Sequence, residues 1–394
     1  MFAFLRATRK VGTRIAAGLA VIALAACDPV ALGGGVGGNG PSIDASQPVT
    51  VALLVPKSGS SGDALVSSSL ENAARLAIAD LNGPQIDLRV YDTGGNEAQT
   101  VSVTNRAIAD GAKIILGPLY GGNANAAGLA AAPSGVNVMA FSNNSSLAGG
   151  NVFILGHTFA NTARRLTSFA ARQGKRKIVT VSAQNTAGEL GRQAIAAAAA
   201  SSGARIVGNV SYSYSQQGVV DAVNQVKATV DANGADAVFL TSNTDAALPF
   251  FAQLLPEKGV NPAVTQYMGL TRWDVPSQTL DLPGLQNGWF ALPDPTLSAQ
   301  FANRYSAAYG AQPHPLAGLA YDGIAAIGAL VKKGSRNALS RGSLTQGAGF
   351  QGVNGVFRFQ SNGVVERGMA VATIRNKQVV VIDPAPRSFG GFGF

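Results

Sequence analysis

"VALLVPKSGSSGDALVSSSLENAARLAIADLNGPQIDLRVYDTGGNEAQTV", residues 51–101, changes its hydrophobic period three times. With Val49 and Thr50 before it, the opening "VTVALLVP" is a short apolar run rich in β-branched residues, which predicts a strand buried on both faces. From residue 63 the spacing becomes helical. Leu70, Ala73, Ala74, Ala77, Ile78 and Leu81 fall on one face, and Gly83 supplies a stop. "IDLRVYD" (86–92) returns to a strand, and "NEAQTVSVTNRAIADG" (96–111) to a helix. Strands separated by helices of this length close into right-handed βαβ units and a parallel sheet.

The alternation continues outward. "AKIILGPL" (112–119) and "VNVMAFS" (136–142) read as strands on either side of the helix "GGNANAAGLAAAPSG" (121–135). A second series runs from the helix at 163–174 to the strand "VTQYMGL" (264–270), with "KRKIVTVSA", "ARIVGNVSYS" and "ADAVFLTS" as its other strands. Two helices follow, at 297–310 and 316–334. Residues 355–383 then alternate at period two around a Ser-Asn-Gly turn, as an antiparallel hairpin does. The expected fold is α/β: two doubly wound parallel-sheet lobes with a C-terminal β-hairpin appendage. Open parallel sheets bind ligands at the carboxyl ends of their strands. Two such lobes facing each other make a hinged cleft.

The first residues have another character. Arg6, Arg9, Lys10 and Arg14 precede an apolar run, Ile15 to Ala26, too short for the roughly 20 residues that span a bilayer. A basic segment, a short apolar segment and small residues before a cleavage point mark a secretory signal. Leu24-Ala25-Ala26-Cys27 resembles a bacterial lipobox, in which the signal (residues 1–26) is removed and the cysteine is lipidated. Cys27 is the only cysteine, so no internal disulfide competes for it. A lipidated Cys27 would anchor the chain at the membrane, facing the periplasm in the cell envelope. Residues 27–47, with six glycines, read as a flexible tether reaching about 25 Å.

Composition narrows the function. Of the formal charge of +9, four units sit in the signal, and the rest forms no basic block, so nucleic acid is not an expected partner. Two histidines and one cysteine leave little for metal or nucleophile chemistry, and no catalytic signature is present. No cofactor is called for, and an enzyme is not expected. His314 lies in a "QPHP" loop; His157 follows "NVFILG" at a strand end.

The stretch at 51–101, with "KIILGPLYGG", "NVMAFSNNSSL", "LAYDGIAAI" and "GVNGVFRFQSNG" after it in order, resembles the type I periplasmic binding proteins, especially their leucine/isoleucine/valine-binding branch. The likeness covers residues 48 to 384. It implies three crossings between lobes, near residues 148, 288 and 348. Lobe 1 would then be 48–148 plus 289–347, lobe 2 would be 149–288 plus 348–384, and 385–394 a frayed tail. It implies capture of a small polar ligand, an amino acid or a relative, for an ABC importer whose permease is the partner. The alternative it carries is a lipoprotein activator of penicillin-binding proteins, with a peptidoglycan synthase as partner.

The resemblance also assigns a site. Ser142, Asn143, Asn144 and Ser145 match the turn that holds a ligand carboxylate, and Tyr120, Gly121 and Gly122 match the neighbouring anchoring loop. In lobe 2, Asn243 stands where an aromatic is usual, Thr271 where an acid is usual, and Ala187 where a tyrosine is usual. Arg272 and Asp274 complete the expected set, Asp274 as a substitute acid. An ammonium group needs a carboxylate or an aromatic face, so this half of the site departs from the amino-acid pattern.

Overall fold

The computed structural model describes residues 40–244 and 247–390. Cys27, the signal and most of the expected tether lie outside them. Strand β1 (Val49–Val55) is buried along almost its whole length and pairs in parallel with β2 (Ile86–Asp92) and β3 (Ile114–Leu116). Between β1 and β2 runs α1 (Ser61–Ala79). It starts where it does because Ser60 Oγ accepts from the Asp63 N–H while the Asp63 carboxylate accepts from the Ser60 N–H, a reciprocal cap. Leu70, Ala73, Ala74 and Ala77 are buried as the spacing requires, and Ile78 and Leu81 pack against the same core.

Helices α2 (Glu97–Ala109) and α3 (Gly121–Ala131) cover the other face of the sheet, and β4 (Asn137–Ala140) and β5 (Val152–Ile154) complete it in the order β2-β1-β3-β4-β5. The chain then enters a second sheet through α4 (Phe159–Arg172), β6 (Lys177–Ala183), α5 (Thr186–Ser202), β7 (Arg205–Tyr212), α6 (Gln216–Asn233), β8 (Ala237–Leu240), α7 (Leu248–Glu257), β9 (Gln266–Gly269) and β10 (Trp289–Leu292). It returns to lobe 1 as α8 (Pro295–Tyr309) and α9 (Ala317–Val331), which pack with α1 on one face of the first sheet. Glycines allow α9 its closeness: a Cβ at Gly323 would lie 2.4 Å from Leu116, and one at Gly328 2.5 Å from Leu81.

After the short α10 (Arg341–Leu344), β11 (Phe350–Gly352), β12 (Gly355–Phe359) and β13 (Val365–Arg367) form a three-stranded antiparallel sheet of their own. The hairpin β14 (Ala370–Arg375) and β15 (Gln378–Asp383) extends the second sheet, with β14 antiparallel to β10. The period-two stretch is thus divided between two sheets.

Sheet membership moves the expected crossings. β5 belongs to the first sheet and β10 to the second, so the chain passes over after Ile154, after Leu292 and just before Ala370, rather than near 148, 288 and 348. Both strands are only three or four residues long, so their pattern could not correct the boundaries that the resemblance implied. The tether also ends sooner than residue 47. Ile43 is buried in the lobe 1 core, and its N–H donates to Arg336 O. At the other end, the expected frayed tail is held in part, since Arg358 stacks over the Phe389 ring at 4.3 Å.

One buried group binds the first crossing to the strand that leads into the third. Arg367, fully buried on β13, donates through Nη1 to Asp322 of α9 (2.7 Å) and through Nη2 to Leu155 O at the first crossing (3.0 Å). Its guanidinium lies 4.8 Å from the Phe357 ring centre. Asp322, equally buried, also accepts from Val353 N and Asn354 Nδ2. Removing one member of a buried pair strands the other charge, at about 3–5 kcal/mol. Arg367→Leu should therefore lower the unfolding free energy in urea by roughly that amount; a loss below about 1 kcal/mol would show that the pair does not hold the crossings.

Candidate functional site

The C-terminal ends of the first sheet's strands carry the first half of the expected site. Beyond β3 the chain turns at Gly117, where a φ of +89° and the 2.3 Å at which an added Cβ would meet Leu54 O exclude a side chain. This delivers Tyr120 to the start of α3, where its hydroxyl donates to the Asp63 carboxylate. That contact raises the phenol pKa and lowers the carboxyl pKa, so Tyr120 braces α1. Gly122 lies against the Glu97 carboxylate, the mobile end of an exposed side chain, which a Cβ there would have to displace.

Beyond β4, Ser142 is buried and its Oγ accepts from the Asn144 N–H at 3.1 Å. Asn144 Oδ1 accepts from the Ser146 N–H and hydroxyl at 3.0 and 2.7 Å. The turn thus uses its acceptors internally and keeps its donors, among them the Asn144 amide N–H groups. Asn143 and Ser145 are exposed. A Cβ on Gly121 would sit 3.7 Å from Ser142 Oγ and 4.0 Å from Asn144 Nδ2, so the two loops form one ledge. The ledge abuts the first crossing, because a Cβ on Gly156 would lie 2.4 Å from both Phe141 O and Ser142 O.

The second half lies at the ends of β8 and β9. Asn243, Thr271 and Arg272 line a cleft of about 600 Å³, a size that suits a small molecule. Thr271 Oγ1 donates to Ser242 O at 3.1 Å. Asp274 does not line the cleft. Its carboxylate takes the Nε and Nη2 edge of Arg272, so it is spent as that residue's counter-ion instead of serving as a substitute acid. Tyr120, Gly121, Gly122 and Ser142 to Ser145 stand outside the cleft's lining, on the ledge beside it. The opposite wall comes from lobe 1 through Phe301 of α8, the loop Pro313 to Leu316, and Gly318 of α9, with His157 and Phe159 at the first crossing and Asn354 from the turn between β11 and β12. Both histidines of the chain therefore meet one cavity.

Both are held neutral. His157 Nδ1 is sealed without a partner. Burial, with Arg367 and Arg272 nearby, pushes its pKa down to about 3. Burial also lowers that of His314, whose Nδ1 accepts from the Leu316 N–H at 3.2 Å. That bond places the neutral ring's proton on Nε2, leaving a donor. The sequence signal for this wall was thin: an isolated His after a three-residue strand, and another between two prolines.

Two α/β lobes that both line one cavity, joined by three crossings, define a hinged binding protein. The chain belongs to the periplasmic binding protein family, whose sequence model matches residues 48–378; such proteins hold ligands and are not enzymes. Among solved structures it is similar to one described as a putative branched-chain amino acid ABC transporter from Rhodospirillum rubrum, at 19% identity, covering 85% of this chain and 100% of that one with a TM-score of 0.72. It is also similar to a solute-binding protein of an ABC transporter from Rhodopseudomonas palustris BisB5 in complex with 3,4-dihydroxybenzoic acid, at 18% identity, 86% and 98% coverage and a TM-score of 0.59. These likenesses show the fold. An uncharacterized protein of Rickettsia prowazekii (strain Madrid E) is 28% identical over 109 residues, a match spanning 28% of this chain and 29% of that relative.

The lowered pKa of His157 has a measurable consequence. Unfolded, the side chain takes a proton near pH 6.5; folded, it does so only near 3. Acid between those values favours the unfolded chain, so the stability that neutral His157 contributes is complete above 6.5 and drains away as the pH falls. His157→Gln should flatten the decline of the urea midpoint across that window, whereas an unchanged slope would place the acid sensitivity elsewhere.

Proposed function

We propose that the chain is an extracytoplasmic solute-binding lipoprotein that captures a small molecule between its lobes and presents it to the permease of an ABC importer. The observation that carries this reading is the cleft itself, walled by Asn243, Thr271 and Arg272 from lobe 2 and by α8, α9 and the His314 loop from lobe 1. A ligand touching both walls stabilises closure about the crossings. The ledge of Tyr120, Gly121, Gly122 and Ser142 to Ser145 then meets the ligand from lobe 1, its free amide and hydroxyl donors turned to that use. Family membership and the ABC-transporter proteins that share the fold support the role. A role in activating peptidoglycan synthases would leave such a cleft without a use.

Cys27 is the anchor in this reading, and the glycine-rich stretch up to the packed Ile43 lets the lobes stand away from the membrane. Asn144→Ala with Ser145→Ala should weaken any cleft ligand by at least about tenfold in titration calorimetry, and unchanged affinity would remove the ledge from the site. Cys27→Ala should move the protein from the membrane fraction to the soluble periplasm. Retention on the membrane would refute lipidation at that cysteine.

A further inference from the structure

The cleft is rich in donors and poor in acids. Among the described residues no aspartate or glutamate lines it; Asp245 and Ala246 lie outside those residues. Among the described residues Arg272 is the one charged group in its lining; Asp274 takes the Nε and Nη2 edge, which leaves Nη1 with no partner among those residues. Across the cleft, His314 offers an Nε2–H. At the start of helix α9 the Ala317 and Leu319 N–H groups are taken by His314 O and Leu316 O, and Gly318 between them lines the cavity. The first turn of α4, capped by Thr158, faces the same space through Thr158 and Phe159. The N–H groups left over at a helix start attract negative charge. The ledge beside the cleft has the same bias, because Ser142 Oγ and Asn144 Oδ1 already accept bonds within the turn. Much of the remaining wall is apolar, through Phe159, Leu270, Val275, Phe301, Leu316 and Met369, with the neutral polar side chains of Asn243, Thr271, Ser298 and Asn354 among them.

We propose that the ligand is a small monocarboxylate with an apolar body and no ammonium group, its carboxylate held by Arg272 together with donors of the lobe 1 wall. This rests on the cleft being the solute site. An amino acid would bring an ammonium into a cavity that, among the described residues, offers it no carboxylate and already holds a guanidinium, and a buried unpaired charge is costly. A carboxylate without that group finds charge-assisted donors from both lobes, which makes the ligand itself the bridge that draws them together. Arg272 is then the residue that sets specificity.

The test is calorimetric titration of the full-length chain with 4-methylpentanoate, benzoate, leucine and benzamide. Leucine differs from 4-methylpentanoate only by its ammonium, and benzamide from benzoate only by its charge. The expected result is binding of both acids, with leucine and benzamide at least about tenfold weaker, and loss of at least about tenfold in acid affinity in Arg272→Gln but not in Asn233→Ala, an exposed position on α6. Leucine binding as tightly as 4-methylpentanoate, above all if lost in Asp245→Asn, overturns the inference and leaves the solute reading standing. Equal binding of benzamide, or acid binding indifferent to Arg272→Gln, also overturns it. Silence from all four ligands overturns it too; the solute reading falls only if a wider panel of amino acids, sugars and amides is silent as well.

Discussion

The ion pair between Arg367 and Asp322 is the constraint on which the two-lobed arrangement turns. A single guanidinium reaches α9 of lobe 1, the carbonyl of Leu155 at the first crossing and the ring of Phe357 on β12, while the β13 backbone carries it. Asp322 adds Val353 and Asn354 to the same knot. Such a pair contributes little net stability compared with a well-packed apolar substitute, because two charges must leave water. What it supplies is a fixed geometry. It ties the first crossing, at Leu155, to β13 just before the third and to α9 of lobe 1.

That unit also sets the electrostatics of the cleft. His157 follows the first crossing and lies close enough to Arg367 and Arg272 for both to oppose its protonation. Asn354, bound to Asp322, lines the cavity floor. Helix α4 is clamped to the third crossing by Asn161, which donates to Val365 O, and by Arg165, which donates to Met369 O. Its first turn therefore opens on the cleft in a fixed place. The residues that hold the lobes together thus also define the space between them.

Much of this was legible from residue patterns, and the exceptions have physical reasons. Long elements with a clear period, such as β1, α1, β6 and α6, announce themselves because burial dictates their spacing. β5 and β10 are runs of three or four apolar residues with no period to show which sheet they join; the crossings that the resemblance implied shifted with them. Period-two alternation from residue 355 to 383 identified strands but could not say that β13 and β14 serve different sheets. In the site, Asn243, Thr271 and Arg272 were reachable through the family resemblance, and all three line the cleft. The lobe 1 wall was not, because Phe301 and the Pro313 to Leu316 loop approach the cleft only through the packing of α8 and α9 on α1. Asp274 was assigned a ligand role that its own neighbour, Arg272, had already claimed.

The central claim is that a solute draws two lobes together about a common set of crossings. Spin labels at Ala98 and Ala187, both exposed in the first turns of helices that follow strand ends in lobes 1 and 2, would report the distance across the cleft in a Cys27→Ser background. Pulsed electron spin resonance with and without a bound carboxylate should show one shorter, narrower distribution on binding. An identical distribution in both states, with binding verified by calorimetry, would contradict the account.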